Sequence, residues 1–200
     1  MLCYIFTGER IVYQEVCMTP ATVVFCHGKE SGPWGLKIRS LAKVAEKFSC
    51  RVISLDDEGV FDPDARVRHL IDEAKDMPGL LILVGSSMGG YVTTIASSTL
   101  RPRGLFLMAP AIGLQGYPID NPVPVADEIA ILHGWDDVLI PLEPVLRFAR
   151  ENRAIFFAIP AGHSLNEQVG LIEEYFTVFL SRCLRCQPPD SDRKRLLASL

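Results

Sequence analysis

The sequence predicts an α/β fold: a three-layer α/β/α sandwich built on a mostly parallel, doubly wound sheet. Two observations predict it. Short apolar, β-branched runs alternate along the chain with segments whose apolar residues recur at helical spacing. The run Leu80–Val84 (LLILV) is also apolar at every position, as expected of a strand covered by helices on both faces. Strands that alternate with helices return in the same direction, so their neighbours pair parallel.

Each element follows from its own residues. Thr22–Cys26 (TVVFC) is a first central strand, ending at His27-Gly28. Leu36–Phe48 carries Ile38, Leu41, Val44, Ala45 and Phe48 at helical spacing, and Arg51–Leu55 is a second strand. Asp62 reads as a helix N-cap with Pro63 at the first helical position, and Ala65–Lys75 continues that helix. Leu80–Val84 is followed by a helix over Gly89–Leu100 and a strand over Leu105–Ala109. A Pro- and Gly-rich loop runs from Pro110 to Val125. Ile129–His133 and Ala154–Ile159 are strands flanking a helix over Leu142–Arg150. The last helix, Asn166–Cys183, places Val169, Ile172, Phe176, Phe179 and Leu180 on one face.

Three regions are expected. Residues 1–18 form an N-terminal extension, which could be a hairpin whose strand Arg10–Val16 follows a turn at Thr7-Gly8. Residues 19–183 form the α/β domain. Residues 184–200, with Pro188-Pro189 and Arg193-Lys194-Arg195, read as a polar, solvated tail. The chain's 200 residues are enough for one sizeable core.

Composition narrows the partners. A net charge of −4 gives no electrostatic reason to expect nucleic acid or an anionic membrane surface. No apolar run approaches the ~20 residues that span a bilayer. Met1–Phe6 is apolar, but Gly8, Glu9 and Arg10 follow at once, so no secretory signal is read and a cytoplasmic protein is expected. The six cysteines, Cys3, Cys17, Cys26, Cys50, Cys183 and Cys186, are scattered and do not form a disulfide framework. Cys183 and Cys186 make a lone C-x-x-C with no partner pair, which is weak ground for a metal or redox role. Nothing marks a metal, flavin, nicotinamide or pyridoxal site, so no cofactor is expected and the partner is a small molecule.

Chemistry concentrates at the ends of strands. Gly85-Ser86-Ser87-Met88-Gly89 is a G-x-S-x-G motif between a strand and a helix. A serine projecting from so sharp a turn needs small neighbours two before and two after, which Gly85 and Gly89 supply. A hydroxyl becomes a nucleophile only when a base takes its proton. Of the four histidines, His69 lies on a helix as a solvent-facing or capping residue, and His27 belongs to the backbone turn of His27-Gly28. His163, in Ala161-Gly162-His163-Ser164, follows the last strand and is the candidate base. An imidazole needs a carboxylate to hold its tautomer. The segment beginning at His133 offers Asp136 and Asp137, and adjacent loop side chains point apart, so one can reach His163. Oxyanion donors are expected from the Met88 N–H and from the loop after the first central strand, where Gly28 lets the Lys29 amide face the site.

The segments HGKESGPWGLK, VGSSMGG, HGWDDVLIP and AGHSL together resemble the α/β-hydrolase superfamily, especially small bacterial esterases without a large lid. The resemblance spans Thr22 to Phe179, with all four motifs in the family's order. It implies a compact α/β-hydrolase fold and cleavage of an ester, thioester or amide. It also implies Asp137 as the acid, the fifth residue of H-G-x-x-D-x-x-[IV]-P, in a triad with Ser87 and His163 and with oxyanion amides from Lys29 and Met88. Leu165 after His163-Ser164 departs from the common pattern. Larger relatives insert a lid after the strand that here ends at Ala109. This chain has only Pro110–Val125, stiffened by Pro118, Pro122 and Pro124, which can form a rim and suits small or short-acyl substrates. Trp34, Tyr91, Leu114 and Tyr117 are candidates to line the site. The alternatives are acyl transfer or carbon–carbon bond hydrolysis on the same triad, or a non-catalytic binding protein on the same fold.

Overall fold

The computed structural model describes residues 2–7, 10–15 and 19–185. Strands β1 (Leu2–Thr7) and β2 (Arg10–Glu15) pair antiparallel as a hairpin, with Leu2 opposite Glu15 and Thr7 opposite Arg10. The expected strand Arg10–Val16 therefore runs through Glu15, and Val16 lies outside the described residues, as do Cys17, Cys186 and the tail from 186 to 200.

Pro20–Cys183 forms a compact unit of its own. Its strands are β3 (Ala21–Cys26), β4 (Arg51–Ser54), β5 (Leu80–Ser86), β6 (Gly104–Met108), β7 (Glu128–Gly134) and β8 (Ile155–Ile159). They pair parallel throughout, in the order β4-β3-β5-β6-β7-β8. Burial follows position in the sheet. Every residue of β3 and β6 is buried, whereas the edge strands β4 and β8 are half-exposed. That is why the interior strands read as continuous apolar runs.

Helices α1 (Leu36–Lys47) and α5 (Val169–Cys183) cover one face of the sheet. There Phe25 and Phe106 meet Phe176 and Phe179 at ring separations of 5.0 to 6.5 Å. Helices α2 (Pro63–Ala74), α3 (Met88–Leu100) and α4 (Leu142–Glu151) cover the other, packing Val67, Leu70, Val92, Val145 and Phe148 onto Val24, Leu83 and Leu105. Alternate strand residues thus feed two separate cores. Asp62 caps α2 as its sequence predicts, its Oδ1 accepting from the Asp64 N–H at 3.0 Å ahead of Pro63. The helix expected over Asn166–Cys183 instead opens with a 3₁₀ turn over Asn166–Gln168, because Leu165 sits in the left-handed region at φ 55° and its carbonyl accepts from Gln168.

From β3 the chain steps outward to β4, then crosses back to β5 on the other side of β3. The loops leaving β3 and β5 diverge, which opens a crevice at their carboxyl ends. Among the described residues no helix is long and apolar enough to cross a membrane.

The junction of β5 and α3 is packed without slack. A Cβ on Gly89 would lie 2.0 Å from the Cys26 carbonyl oxygen and 2.7 Å from that of His27. A Cβ on Gly85 would lie 2.3 Å from the Gly89 carbonyl oxygen. Both obstacles are backbone and cannot swing aside. Gly89→Ala should therefore destabilise the fold by about 1–3 kcal/mol, the usual range for overpacking. Urea unfolding of the two proteins measures it, and an unchanged midpoint would contradict this packing.

Candidate active site

Ser87 stands between β5 and α3 with φ 53° and ψ −118°, a strained conformation for a residue with a side chain. Four hydrogen bonds hold it there. Its N–H donates to Met108 O at 2.9 Å, and its carbonyl accepts from Gly90, Tyr91 and Ala111 at 2.9 to 3.3 Å. The turn thrusts the side chain into the crevice.

His163 meets it there, with Nε2 3.0 Å from Ser87 Oγ. On its other side His163 Nδ1 donates to Asp137 Oδ2 at 2.8 Å. A carboxylate can only accept, so Nδ1 carries the proton and Nε2 is left as an acceptor for the serine O–H. The loop holding His163 is fixed by Leu165, which is fully buried and donates its N–H to Gly162 O at 3.2 Å.

Asp137 and Asp136 separate cleanly. The Asp137 side chain is almost fully buried, and its Oδ1 accepts from the Leu139 and Ile140 amides at 2.9 Å each. One carboxylate therefore builds the turn and faces His163 together. Asp136 is exposed, and its backbone N–H donates to Ala161 O. Gly134 makes this approach possible, since a Cβ there would lie 2.1 Å from the Ala161 carbonyl oxygen. His133 lies behind Asp137 and donates Nε2–H to Ile140 O at 3.0 Å. Burial holds its pKa below the ordinary histidine value, so it stays neutral and leaves the Asp137 charge to His163.

The expected oxyanion donors flank Ser87. Met88 follows it at the start of α3, and Lys29 lines the crevice. Gly28 lies against the serine, close enough that a Cβ on it would be 3.5 Å from Ser87 Cβ. Neither the Lys29 nor the Met88 N–H finds an acceptor among the described residues.

Three residues, His69, Tyr91 and Trp34, turn out differently from their sequence reading. His69 is not merely a surface or capping residue: its Nδ1 is 2.7 Å from Oδ1 of the buried Asp57. Tyr91 does not line the crevice but lies beneath it, buried, 4.7 Å from the Tyr117 ring, and its hydroxyl accepts from the Ile119 N–H. The reason is that helix α3 turns this side chain toward the rim loop, where it packs on Tyr117 and holds the Ile119 amide.

Arg66 was not singled out in the sequence at all. It is 1% exposed, and its guanidinium donates only to backbone carbonyls around the β3–α1 loop and the loop after β4. A signal existed: Arg66 stands in register with Leu70 and Ala74 on the buried stripe of α2, where a cation needs a reason.

The crevice holds about 620 Å³ and is walled by Leu36, Leu114, Tyr117, Leu139 and Ile140 beside Ser87 and His163. Leu114 and Tyr117 thus fall where the sequence reading put them, while Trp34 is exposed outside these walls. Lys37 reaches from α1 to donate to the Ser164 carbonyl, and burial lowers its pKa. Residues 111–127 contribute no helix or strand. Among the described residues no cluster of side chains is suited to hold a metal ion.

Fold and site define a hydrolase architecture with Ser87 on the sharp turn between β5 and α3, in contact with His163. The sequence matches the Alpha/beta hydrolase family over residues 23–197, and the chain belongs to that family. A protein described as a hydrolase of the alpha/beta superfamily from Xanthomonas campestris pv. campestris is 30% identical, and the match covers 82% of this chain and 99% of that one at a TM-score of 0.71. A lidless α/β serine hydrolase from Xanthomonas campestris shares the fold at 18% identity, over 87% of each chain, with a TM-score of 0.66. Est1E from Butyrivibrio proteoclasticus shares it at 16% identity, over 91% of this chain and 98% of that one, with a TM-score of 0.67. No curated protein matches the sequence.

The two aspartates give a direct test. In Asp137→Asn the side-chain oxygen can still accept from Leu139 and Ile140, but an amide NH₂ facing His163 reverses the imidazole tautomer. Turnover should fall by about 10⁴, as the same exchange does in a serine protease. Asp136→Asn should stay within about tenfold, since asparagine serves a turn as well as aspartate. Steady-state kinetics on both variants, with matched thermal midpoints to exclude misfolding, decide it. A crippled Asp136→Asn beside a nearly silent Asp137→Asn would move the acid to Asp136.

Proposed function

We propose that the chain is a serine hydrolase that cleaves a carboxylic ester or thioester of a small molecule through an acyl-enzyme on Ser87. The observation that carries this reading is the 3.0 Å contact between Ser87 Oγ and His163 Nε2, with the tautomer set by Asp137.

The chemistry follows from those positions. His163 Nε2 takes the Ser87 proton as Oγ attacks the carbonyl carbon, and the carbonyl oxygen becomes an oxyanion. The Lys29 and Met88 amides donate to that oxygen. The imidazolium, steadied by Asp137, returns the proton to the leaving alkoxide or thiolate as the bond to it breaks. Water then repeats the sequence: His163 takes its proton, hydroxide adds to the acyl carbon, and Ser87 leaves with the proton from His163. No cofactor is required for either half.

The crevice favours short acyl groups. Leu36, Leu114, Leu139 and Ile140 give it apolar surface, but the rim loop lacks the secondary structure that could roof a long chain. Butyryl esters should turn over faster than palmitoyl esters at matched monomeric concentration, and the reverse order in a chain-length series would contradict the open-crevice argument.

A fluorophosphonate probe tests the nucleophile. It should label wild-type protein at Ser87, located by peptide mass spectrometry. Ser87→Ala should lose both the label and the hydrolysis of activated esters while keeping its thermal midpoint. Hydrolysis at the wild-type rate in Ser87→Ala would sink the proposal, and an unlabelled wild-type chain would favour a binding protein on this fold.

A further inference from the structure

The β3–α1 loop is tied down from behind by a single buried cation. Arg66 Nη1 donates to His27 O at 3.1 Å and to Gly28 O at 3.3 Å. Its Nη2 donates to Asp57 O at 3.0 Å and reaches Lys29 O at 3.5 Å, and its Nε donates to Val60 O at 2.6 Å. The planar fork of a guanidinium can serve several carbonyls at fixed angles, which an ammonium cannot.

His27 reinforces the same point. Its Nε2 accepts from the Asp57 N–H at 3.0 Å, so in the neutral ring Nδ1 carries the proton and donates to Gly28 O at 2.7 Å. Gly28 O is thus held by both the imidazole and the guanidinium. The carbonyl of Gly28 and the N–H of Lys29 belong to one planar trans peptide and point in opposite directions. Fixing the carbonyl toward Arg66 aims the Lys29 N–H the other way, toward the crevice that Lys29 lines.

We infer that Arg66 is a positioning residue for catalysis: with His27 it locks the Gly28–Lys29 peptide so that the Lys29 N–H is already aimed at the oxyanion before substrate arrives. This rests on the serine-hydrolase reading above. Preorganised donors act in the transition state and add little to ground-state binding. Loss of the lock should therefore lower kcat and spare KM. It should also leave His163 and Asp137 untouched, since none of the Arg66 bonds reaches them.

The experiment compares wild type with Arg66→Lys, which keeps the charge but not the fork, and with Arg66→Met. The measurements are kcat, KM, the pH–rate profile, the rate of Ser87 phosphonylation and the thermal midpoint. Deleting an oxyanion donor costs about 10²–10³ in kcat, and mis-aiming one costs part of that. Both variants should lose about ten- to hundredfold in kcat and in phosphonylation rate, with KM within about threefold and the acid limb of the profile unmoved. A wild-type chain that is not labelled at Ser87 ends the serine-hydrolase reading and this inference with it. A labelled wild type, with variants that react as fast and melt lower, overturns the inference alone and makes Arg66 a structural strut. Failure of both variants to fold overturns it too, because Arg66 would then be a requirement of the fold.

Discussion

The site depends on one strained residue. Ser87 occupies a backbone conformation that costs on the order of 1–3 kcal/mol for a residue with a Cβ, so the surrounding structure must over-determine it. It does so from three sides. The end of β6 accepts its N–H, three amides converge on its carbonyl, and glycine at 85 and 89 lets β5, α3 and the end of β3 close to backbone contact. Any side chain at 89 would push α3 away from β3, and with it the serine from the loop that carries Gly28 and Lys29. The tight packing and the aim of the hydroxyl are one constraint.

The fold was legible because its signals are local. Continuous apolar runs marked the buried strands, and the Asp62-Pro63 pair marked a helix start to the residue. The sharp turn at Ser87 was legible for the same reason, since the need for small residues on either side of it is written within five positions. The choice between Asp136 and Asp137 was not settled by the residues themselves. Both are turn-formers, and what separates them is which carboxylate can accept from Leu139 and Ile140 while facing His163. That is a property of the folded loop, which the neighbouring residues do not encode; Asp137 was what the resemblance to a family implied.

Arg66 marks the opposite limit. Its partners are carbonyls of residues 27, 28, 29, 57 and 60, and a carbonyl leaves no trace in a sequence. Sequence motifs record side chains that act, and they miss a side chain whose partners are all backbone. His69 escaped for a related reason. Its role depends on Asp57 being buried, which follows from where the loop after β4 lies and not from its neighbours in the chain.

The cation behind the β3–α1 loop can act through its field or through its geometry, and its hydrogen bonds argue for geometry. Asp57 is buried nearby, and its carboxylate opposes the guanidinium charge. What does not cancel is direction. The guanidinium bonds to three successive carbonyls, and the imidazole of His27 fixes the middle one a second time. A loop pinned in this way cannot rotate its middle peptide without breaking two hydrogen bonds inside a dry interior, where an unpaired carbonyl costs about 1–3 kcal/mol. That penalty is comparable to the strain stored at Ser87. Ser87 and the Gly28–Lys29 peptide are therefore held by opposite devices, one a backbone strain that packing enforces, the other a backbone plane that a buried cation prevents from turning.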